Sequence, residues 1–172
     1  MDLVDFILDT FDNIQSGLMD ALEGLSHEEL TWQPGPEAKP IGFVLWHQLR
    51  CEDAMVNSWL RHESQLWISE QWCHKLNLPA DPGDDGYGYT AEQVAAFPVP
   101  PLTDLLGYGE AVRTHTREYL GSKKGSGLDD MVETPAFGEM GVGQIFSVLL
   151  CEIAFHTGQI AYLRGLQRGI NA

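Results

Sequence analysis

The chain has 172 residues, of which 44% are hydrophobic, and a formal net charge of −15. This length suits one domain, spanning residues 1–172, that can bury enough apolar surface to fold without disulfides. The strong negative charge disfavours partners that carry phosphate backbones or anionic lipid headgroups, so we expect the protein to bind neither nucleic acid nor a membrane.

Two features favour a cytoplasmic protein. The residues that follow Met1 are acidic where a secretory signal would be basic, and no run of about 20 apolar residues is visible. The cysteines, Cys51, Cys73 and Cys151, form no paired motif, which fits a reducing compartment. We expect these cysteines neither to form disulfides nor to bind a metal.

Four long segments show helical periodicity. The first covers residues 3–25 and the second residues 41–71. A third starts near Pro101, and a fourth covers residues 142–167, with Gly169 as its terminator. Because no convincing run of strands is visible, the sequence predicts an all-α fold: a four-helix bundle with long connections and short extra helices.

The connections between these segments carry their own signals. Ser26 and Thr90 each begin a sequence with the form of a capping box, which predicts a short helix after each of them. The longest irregular segment covers residues 77–101 and contains Tyr87 and Tyr89. These tyrosines are candidates to cover a binding pocket, although aromatic anchors of a surface loop would give the same pattern.

The fourth segment has polar residues in the middle of an apolar seam. Steps of three and four residues join Ile145, Leu149, Glu152, His156, Gln159 and Leu163. Because burying an ionised carboxylate alone costs many kcal/mol, Glu152 needs a compensating partner. His156 lies one helical turn away, so both side chains can reach one ion. Gln159 either supports such a site or forms an interhelical hydrogen bond.

A third metal ligand has to come from another helix. His47 lies in an apolar stretch of the second segment, and its periodicity turns it toward the core. With Glu152 and His156 it makes a set that suits Zn²⁺, Ni²⁺, Fe²⁺ or Mn²⁺. Two other interpretations stay open: His47 as an ordinary core histidine, and Glu152 as the ion-pair partner of Arg164 or Arg50.

Several segments together resemble a known family. Residues 24–36, 41–47, 86–97 and 152–165, in this order, resemble the DinB/YfiT-like superfamily of metalloenzymes. The resemblance implies a four-helix bundle that holds one metal with three side chains. Many members use three histidines, and Glu152 departs from that pattern. With Glu152 in this position, the ligand set is similar to the His/Glu/His variant of mycothiol-dependent maleylpyruvate isomerase and its relatives.

The resemblance also implies a function. The ligand positions carry over to His47, Glu152 and His156, with one zinc or nickel ion per chain. The family includes bacillithiol and mycothiol S-transferases, which implies an enzyme that activates a low-molecular-weight thiol toward an electrophilic substrate, as an S-transferase or isomerase. Two alternatives remain, a metal-dependent hydrolase and a non-enzymatic metal-binding or small-ligand-binding protein. Hydrolysis ranks lower because no second acid, which could serve as general base, falls on the seam.

A homodimer is the expected assembly. The resemblance implies it, and four tryptophans of the second segment also favour it: Trp46, Trp59, Trp67 and Trp72. Exposed aromatic patches usually mark interfaces between proteins. We therefore expect at least part of this aromatic set to lie on the surface and to contact a second copy of the chain.

Overall fold

A computed structural model describes residues 2–125 and 127–169 and is mostly helical. The α-helices are α1 (Leu3–Leu22), α2 (His27–Thr31), α3 (Ile41–Asp53), α4 (Leu66–Ser69), α5 (Trp72–Lys75), α6 (Ala91–Ala95), α7 (Leu102–Ser122) and α8 (Val142–Arg168). A π-helical segment, Ala54–Leu60, continues α3. Two short strands, β1 (Met131–Thr134) and β2 (Gly138–Gly141), pair antiparallel between α7 and α8.

The long helices pack against one another along their lengths. Helix α8 contacts α1 and α3, and α7 contacts both α3 and α1. Helix α3 lies at the centre, where each residue from Ile41 to Arg50 is buried. Because α3 is surrounded by other elements, its polar residues face the interior together with its apolar ones, and its sequence has only weak amphipathic character.

Most helix boundaries agree with the sequence signals. Asp2 caps α1, and the capping boxes at Ser26 and Thr90 both form. Helix α8 ends at Arg168, and Gly169 follows with a φ of 95°, as its terminator should. Helix α1 ends at Leu22, three residues earlier than predicted.

The prediction of one helix over residues 41–71 is wrong. The helical run ends at Leu60, and the chain then turns through His62, whose φ is 55°. The carboxylate of Asp53 accepts hydrogen bonds from the backbone amides of Leu66 and Trp67, which begin α4. A buried side chain therefore fixes the start of a separate helix, and local periodicity could not reveal this interruption.

The prediction that the chain lacks strands is also wrong, because β1 and β2 form a hairpin. Thr134 pairs with Gly138, and its hydroxyl donates to the Gly138 carbonyl and accepts from the Phe137 amide. Gly138 has a φ of 69°, a conformation that glycine adopts without strain. The hairpin carries Phe137 over the π-helical segment, where its ring lies 6.2 Å from that of Trp59.

The long helix α8 and the tryptophans bear on two expectations about exposed surfaces. Helix α8 has the length and composition that could cross a membrane, but core helices of other proteins pass the same test, so this is weak evidence for a span. The four tryptophans do not share one helix, and only Trp59 and Trp72 are partly exposed, because Trp46 and Trp67 are buried, so the set does not form a single aromatic patch. Exposed aromatic side chains instead include Phe155 and Tyr162 of α8.

Candidate metal centre

Three side chains of the predicted set meet where α3 packs against α8. Helix α3 supplies His47, and α8 supplies Glu152 and His156 from successive turns. Oε1 of Glu152 lies 3.4 Å from Nε2 of His47 and 2.8 Å from Nε2 of His156. The imidazole rings are nearly perpendicular, with centroids 4.8 Å apart. The structure therefore contains a His/Glu/His cluster that could bind a metal ion.

The outer ring nitrogens of both histidines are held by hydrogen bonds. Nδ1 of His47 lies 2.6 Å from the backbone carbonyl of Asp85. A carbonyl oxygen only accepts, so Nδ1 donates and the lone pair of the neutral ring is on Nε2. Nδ1 of His156 donates to Oε1 of Gln159 at 2.9 Å. Both imidazoles thus direct Nε2 toward Glu152, and each has the supporting partner that metal-binding histidines usually have.

This arrangement fits a divalent ion. Two nitrogen lone pairs and a carboxylate oxygen converge on one small volume and repel each other unless a positive charge lies among them. Ligand atoms about 2.1 Å from a tetrahedral ion lie roughly 3.4 Å from one another. The separation of His47 from Glu152 is 3.4 Å, and that of His156 from Glu152 is 2.8 Å. A small outward movement of His156 would complete the geometry.

The pKa shifts indicate the same preference for a cation. When the rings of His156 and His47 are protonated, their Nε2 atoms donate hydrogen bonds to Glu152 and hold its pKa well below its usual range, although burial opposes them. Burial lowers the pKa of His156, but the hydrogen bonds with Glu152 and Gln159 outweigh it and leave the pKa raised. The site therefore keeps an ionised carboxylate and attracts a proton or a metal ion beside it.

The two arginines that could have paired with Glu152 are used elsewhere. Arg50 donates to Tyr108 and to carbonyls of the loop at residues 81–84. Arg164 donates to the backbone carbonyls of Ala21 and Glu23. The alternative that Glu152 is an arginine ion-pair partner is therefore wrong, and its charged neighbours are the histidines.

The loop before α6 completes the site. Arg50 is 1% exposed, and its guanidinium donates to the carbonyls of Asp81, Pro82 and Asp84 at 3.1–3.3 Å. These bonds fix the loop immediately before Asp85, whose carbonyl orients His47. Sequence analysis missed Asp85. The Pro-Gly-Asp-Asp-Gly composition indicates a turn there, but no local signal says which distant helix the turn contacts.

A second group of possible ligands overlaps the first. Sγ of Cys51 lies 3.7 Å from Nε2 of His47, and the Asp85 carboxylate is close enough for His47, Cys51 and Asp85 to share an ion. Burial raises the pKa of the Cys51 thiol far above its usual value, and the Asp85 and Glu152 charges act in the same direction. A neutral thiol is a poor ligand, so the His/Glu/His set is favoured.

Two cavities share walls at this cluster. The outer lobe, with a volume of about 610 Å³, is lined by Lys39, His47, Tyr87, Glu152, Phe155, His156, Gly158, Gln159 and Tyr162. The apolar lobe, about 570 Å³, lies on the other side of Tyr87 and Glu152 and includes Met55, Trp59, Phe137 and Val148. Lys39 is a further residue that sequence analysis missed, because it precedes α3 in an irregular segment.

The structure separates the three candidate pocket residues. Tyr87 is 87% exposed and lies at the edge of both lobes, and Gln159 lies in the outer lobe beside His156. Tyr89 lines a separate cavity of about 240 Å³ and packs on Phe43. Burial and the hydrogen bond to Asp84 raise its pKa to about 12. Tyr89 therefore lies outside the linings of the two lobes, and its side chain anchors the loop.

Gly86 offers a test of how the loop supports the site. Its φ is 82°, and an added Cβ would lie 2.7 Å from atoms of Phe43 and Trp46. Gly88 has a similar φ of 75° but open space around it. We expect Gly86→Ala to destabilise the protein by about 1–3 kcal/mol more than Gly88→Ala, because only the former forces the loop away from α3. Urea unfolding measures the difference.

The same two variants also test whether the position of the loop affects metal binding. Asp85 precedes Gly86, so displacement of the loop removes the carbonyl that orients His47. We expect Gly86→Ala to weaken metal binding by about 10-fold, the size of effect seen when a supporting partner is lost, and Gly88→Ala to leave it unchanged. Equal metal affinities in both variants would contradict a role of the Asp85 carbonyl.

Comparisons with known proteins agree with this architecture. A solved structure, described as the conserved protein of locus from Enterococcus faecalis, superposes with a TM-score of 0.84 at 24% sequence identity. The alignment covers 96% of this chain and 97% of that one, which shows a common fold. No curated protein matches the sequence. The family model of the DinB superfamily matches residues 10–160. The chain therefore belongs to the DinB superfamily.

Proposed function

We propose that the protein binds one divalent metal ion through His47, Glu152 and His156 and uses it in catalysis on a small molecule. The observation that carries the proposal is the convergence of both Nε2 atoms on Oε1 of Glu152, with both Nδ1 atoms already hydrogen-bonded. A purely structural site would be closed by a fourth protein ligand. The two lobes adjoining this cluster instead leave room for a substrate.

The reaction class we propose is activation of a low-molecular-weight thiol, as in an S-transferase or isomerase, with zinc or nickel as the metal. Two neutral imidazoles and one carboxylate leave a net charge of about +1 with a divalent ion, which lowers the pKa of a coordinated thiol. Glu152 and His156 face the open outer lobe, where a thiol can approach. Lys39 lines this lobe and offers a positive charge to an acidic group of the thiol or its electrophilic partner.

Titration of the cobalt-substituted protein with 2-mercaptoethanol and cysteine tests this proposal. We expect a thiolate-to-cobalt charge-transfer band in the near ultraviolet. The measurement uses the Cys51→Ser variant, because Cys51 lies 3.7 Å from His47 and its own sulfur could give such a band. The His156→Ala variant is the control that should bind less cobalt and give no band. A cobalt-loaded protein that shows no band with either thiol contradicts thiol activation.

Metal-dependent hydrolysis is the second candidate, and one observation favours it more than the sequence did. The Asp85 carboxylate lies within 4.8 Å of the candidate ligand atoms of His47 and Cys51, and Asp85 lines the apolar lobe. It can accept a proton from an attacking water, the general-base role that the seam of α8 lacked. Metal-dependent cleavage of a model ester that falls sharply in Asp85→Asn, without any thiol band, would favour hydrolysis.

Three broader proposals accompany the function. The long helices would form the four-helix bundle of the superfamily, in a single domain. The protein would act in the cytoplasm, where low-molecular-weight thiols are reduced. It would also form a homodimer, although the tryptophans first considered for the interface are not an exposed patch. The alternative of a non-enzymatic metal-binding or small-ligand-binding protein is the less favoured, because the cavities adjoin the cluster.

A further inference from the structure

The apolar lobe is a built cavity beside the metal cluster. Its volume is about 570 Å³, within the range of small-molecule sites, and its walls carry the side chains of Met55, Trp59, Phe137 and Val148. Glu152 lies in the same wall, so the cavity ends at the cluster. A molecule seated in this lobe would have one end against apolar side chains and the other beside Glu152.

Two irregular elements create this cavity. The π-helical segment Ala54–Leu60 has i→i+5 hydrogen bonds and therefore a wider turn than an α-helix, and three of the lining residues belong to it: Ala54, Met55 and Trp59. Such segments occur often at functional sites, because they redirect side chains at some cost in helix stability. The hairpin forms the opposite wall, where the ring of Phe137 lies edge-on to Trp59. The lobe thus exists because two elements depart from a plain helical bundle.

The charges around the lobe select against anions. Among the described residues that line it, the ionisable ones are Cys51, Asp85, Tyr87 and Glu152. The lysine of the region, Lys39, lines the outer lobe instead. A carboxylate placed beside Asp85 and Glu152 would lose hydration and meet like charges. An uncharged apolar group loses no hydration of a charge and is not repelled by Asp85 and Glu152.

We propose that the apolar lobe binds the uncharged apolar part, an aromatic ring or branched alkyl chain, of the electrophilic substrate. The proposal deepens the proposed function, since it places the reacting end of that substrate beside His47, Glu152 and His156. The binding step itself depends only on Met55, Trp59, Phe137, Val148 and the acidic rim. It can therefore be tested in protein freed of metal, independently of the metal chemistry.

The test uses 2-naphthol as a neutral probe and 2-naphthoate as its anionic counterpart, near pH 7. The protein contains five methionines, so a sample labelled with ¹³C at the methionine methyl groups gives few, resolvable signals. Met55 lies in the lobe and is 5% exposed, whereas Met19 is exposed on α1 and is the internal control. Titrations are run on the full chain as purified and after treatment with a chelator.

We expect 2-naphthol to shift the Met55 methyl signal in both samples and to leave Met19 unchanged. In the chelated sample 2-naphthoate should bind roughly tenfold more weakly, because no ion compensates its charge. No Met55 shift with millimolar 2-naphthol, or equal binding of both probes to the chelated protein, would overturn the inference. A Met55 shift in a protein that never binds metal would refute the proposed function and leave this inference standing.

Two variants of α8 complete the test. Val148→Phe adds bulk inside the lobe, and Leu150→Phe adds the same group two residues away, outside the lining set. Both positions are half-buried and pack against the same apolar cluster, so a general loss of stability affects both. We expect Val148→Phe to weaken 2-naphthol binding about tenfold or more, and Leu150→Phe to retain it. Equal affinities in the two variants would contradict binding in this lobe.

Discussion

Replacing Glu152 with glutamine is expected to lower the metal affinity of the protein by about 100-fold or more, beyond the loss that a supporting partner alone would cause. The variant keeps the shape of the side chain but removes the negative charge that faces His47 and His156. Metal content after equilibrium dialysis, measured by elemental analysis, gives the occupancy directly. His47→Ala and His156→Ala should lose the metal to a similar extent.

The matched control for this prediction is Glu139→Gln. Glu139 is exposed on β2, so the same chemical change there should leave metal binding intact. Gln159→Leu is an intermediate case, because it removes only the acceptor for Nδ1 of His156 and should weaken binding by about 10-fold. Full metal occupancy in all three ligand variants would show that the metal, if any, lies elsewhere.

Replacing Asp53 with alanine is expected to destabilise the protein by about 3–5 kcal/mol, the typical effect of removing one partner of a buried ionic group. The Asp53 side chain is fully buried. Its oxygens accept hydrogen bonds from Asn57, Leu66, Trp67 and Tyr108, and Arg50 lies 3.7 Å away. The truncation leaves these four donors without their acceptor and removes the nearby negative charge from the buried Arg50 guanidinium. Urea unfolding gives the change in the free energy of unfolding.

Asp9→Ala is the control for Asp53→Ala, because Asp9 is exposed on α1 and its loss should change stability by no more than about 0.5 kcal/mol. Asp53→Asn should lie between the two, since it keeps the volume but offers an amide where donors converge. An Asp53→Ala protein as stable as Asp9→Ala would contradict the role of the Asp53 carboxylate in fixing the start of α4.

The candidate ligands could be predicted from sequence because each signal is local to one helix. Glu152 and His156 are one turn apart in an apolar run, so their shared direction follows from helix geometry alone. His47 required the further step of pairing α3 with α8, which the family resemblance supplied. The structure brings these residues together in the predicted way.

The supporting part of the site could not be predicted, since it depends on contacts between distant segments. The Asp85 carbonyl reaches His47 across 38 residues of sequence, and Arg50 holds the loop by carbonyl groups, which any sequence provides. The apolar lobe is formed in part by a π-helical segment and a hairpin, and the residues of these two elements show no strong hydrophobic periodicity from which they could be predicted. Hydrophobic periodicity predicts which face of one element is buried, but it does not predict which loop packs against that element.

The buried charged residues at the centre of the fold could not be predicted from the sequence for a related reason. Glu52 and Arg113 form a buried ion pair at 2.8 Å, and Thr116 donates to the same carboxylate. Charged residues in a sequence normally indicate a solvent-facing side, so a helix that buries its charges gives a misleading pattern. The mistaken extension of the second helix to residue 71 has a similar origin, because a buried charged side chain, Asp53, fixes the start of the separate helix α4.

The X-ray absorption spectrum of the zinc-loaded protein, recorded without added thiol, tests the central claim most directly. Binding by His47, Glu152 and His156 predicts a first shell of nitrogen and oxygen only, at about 2.0–2.2 Å, with outer-shell scattering from imidazole rings. A sulfur scatterer at about 2.3 Å would contradict the account, because it would place the ion on Cys51, with His47 and Asp85 as the other ligands.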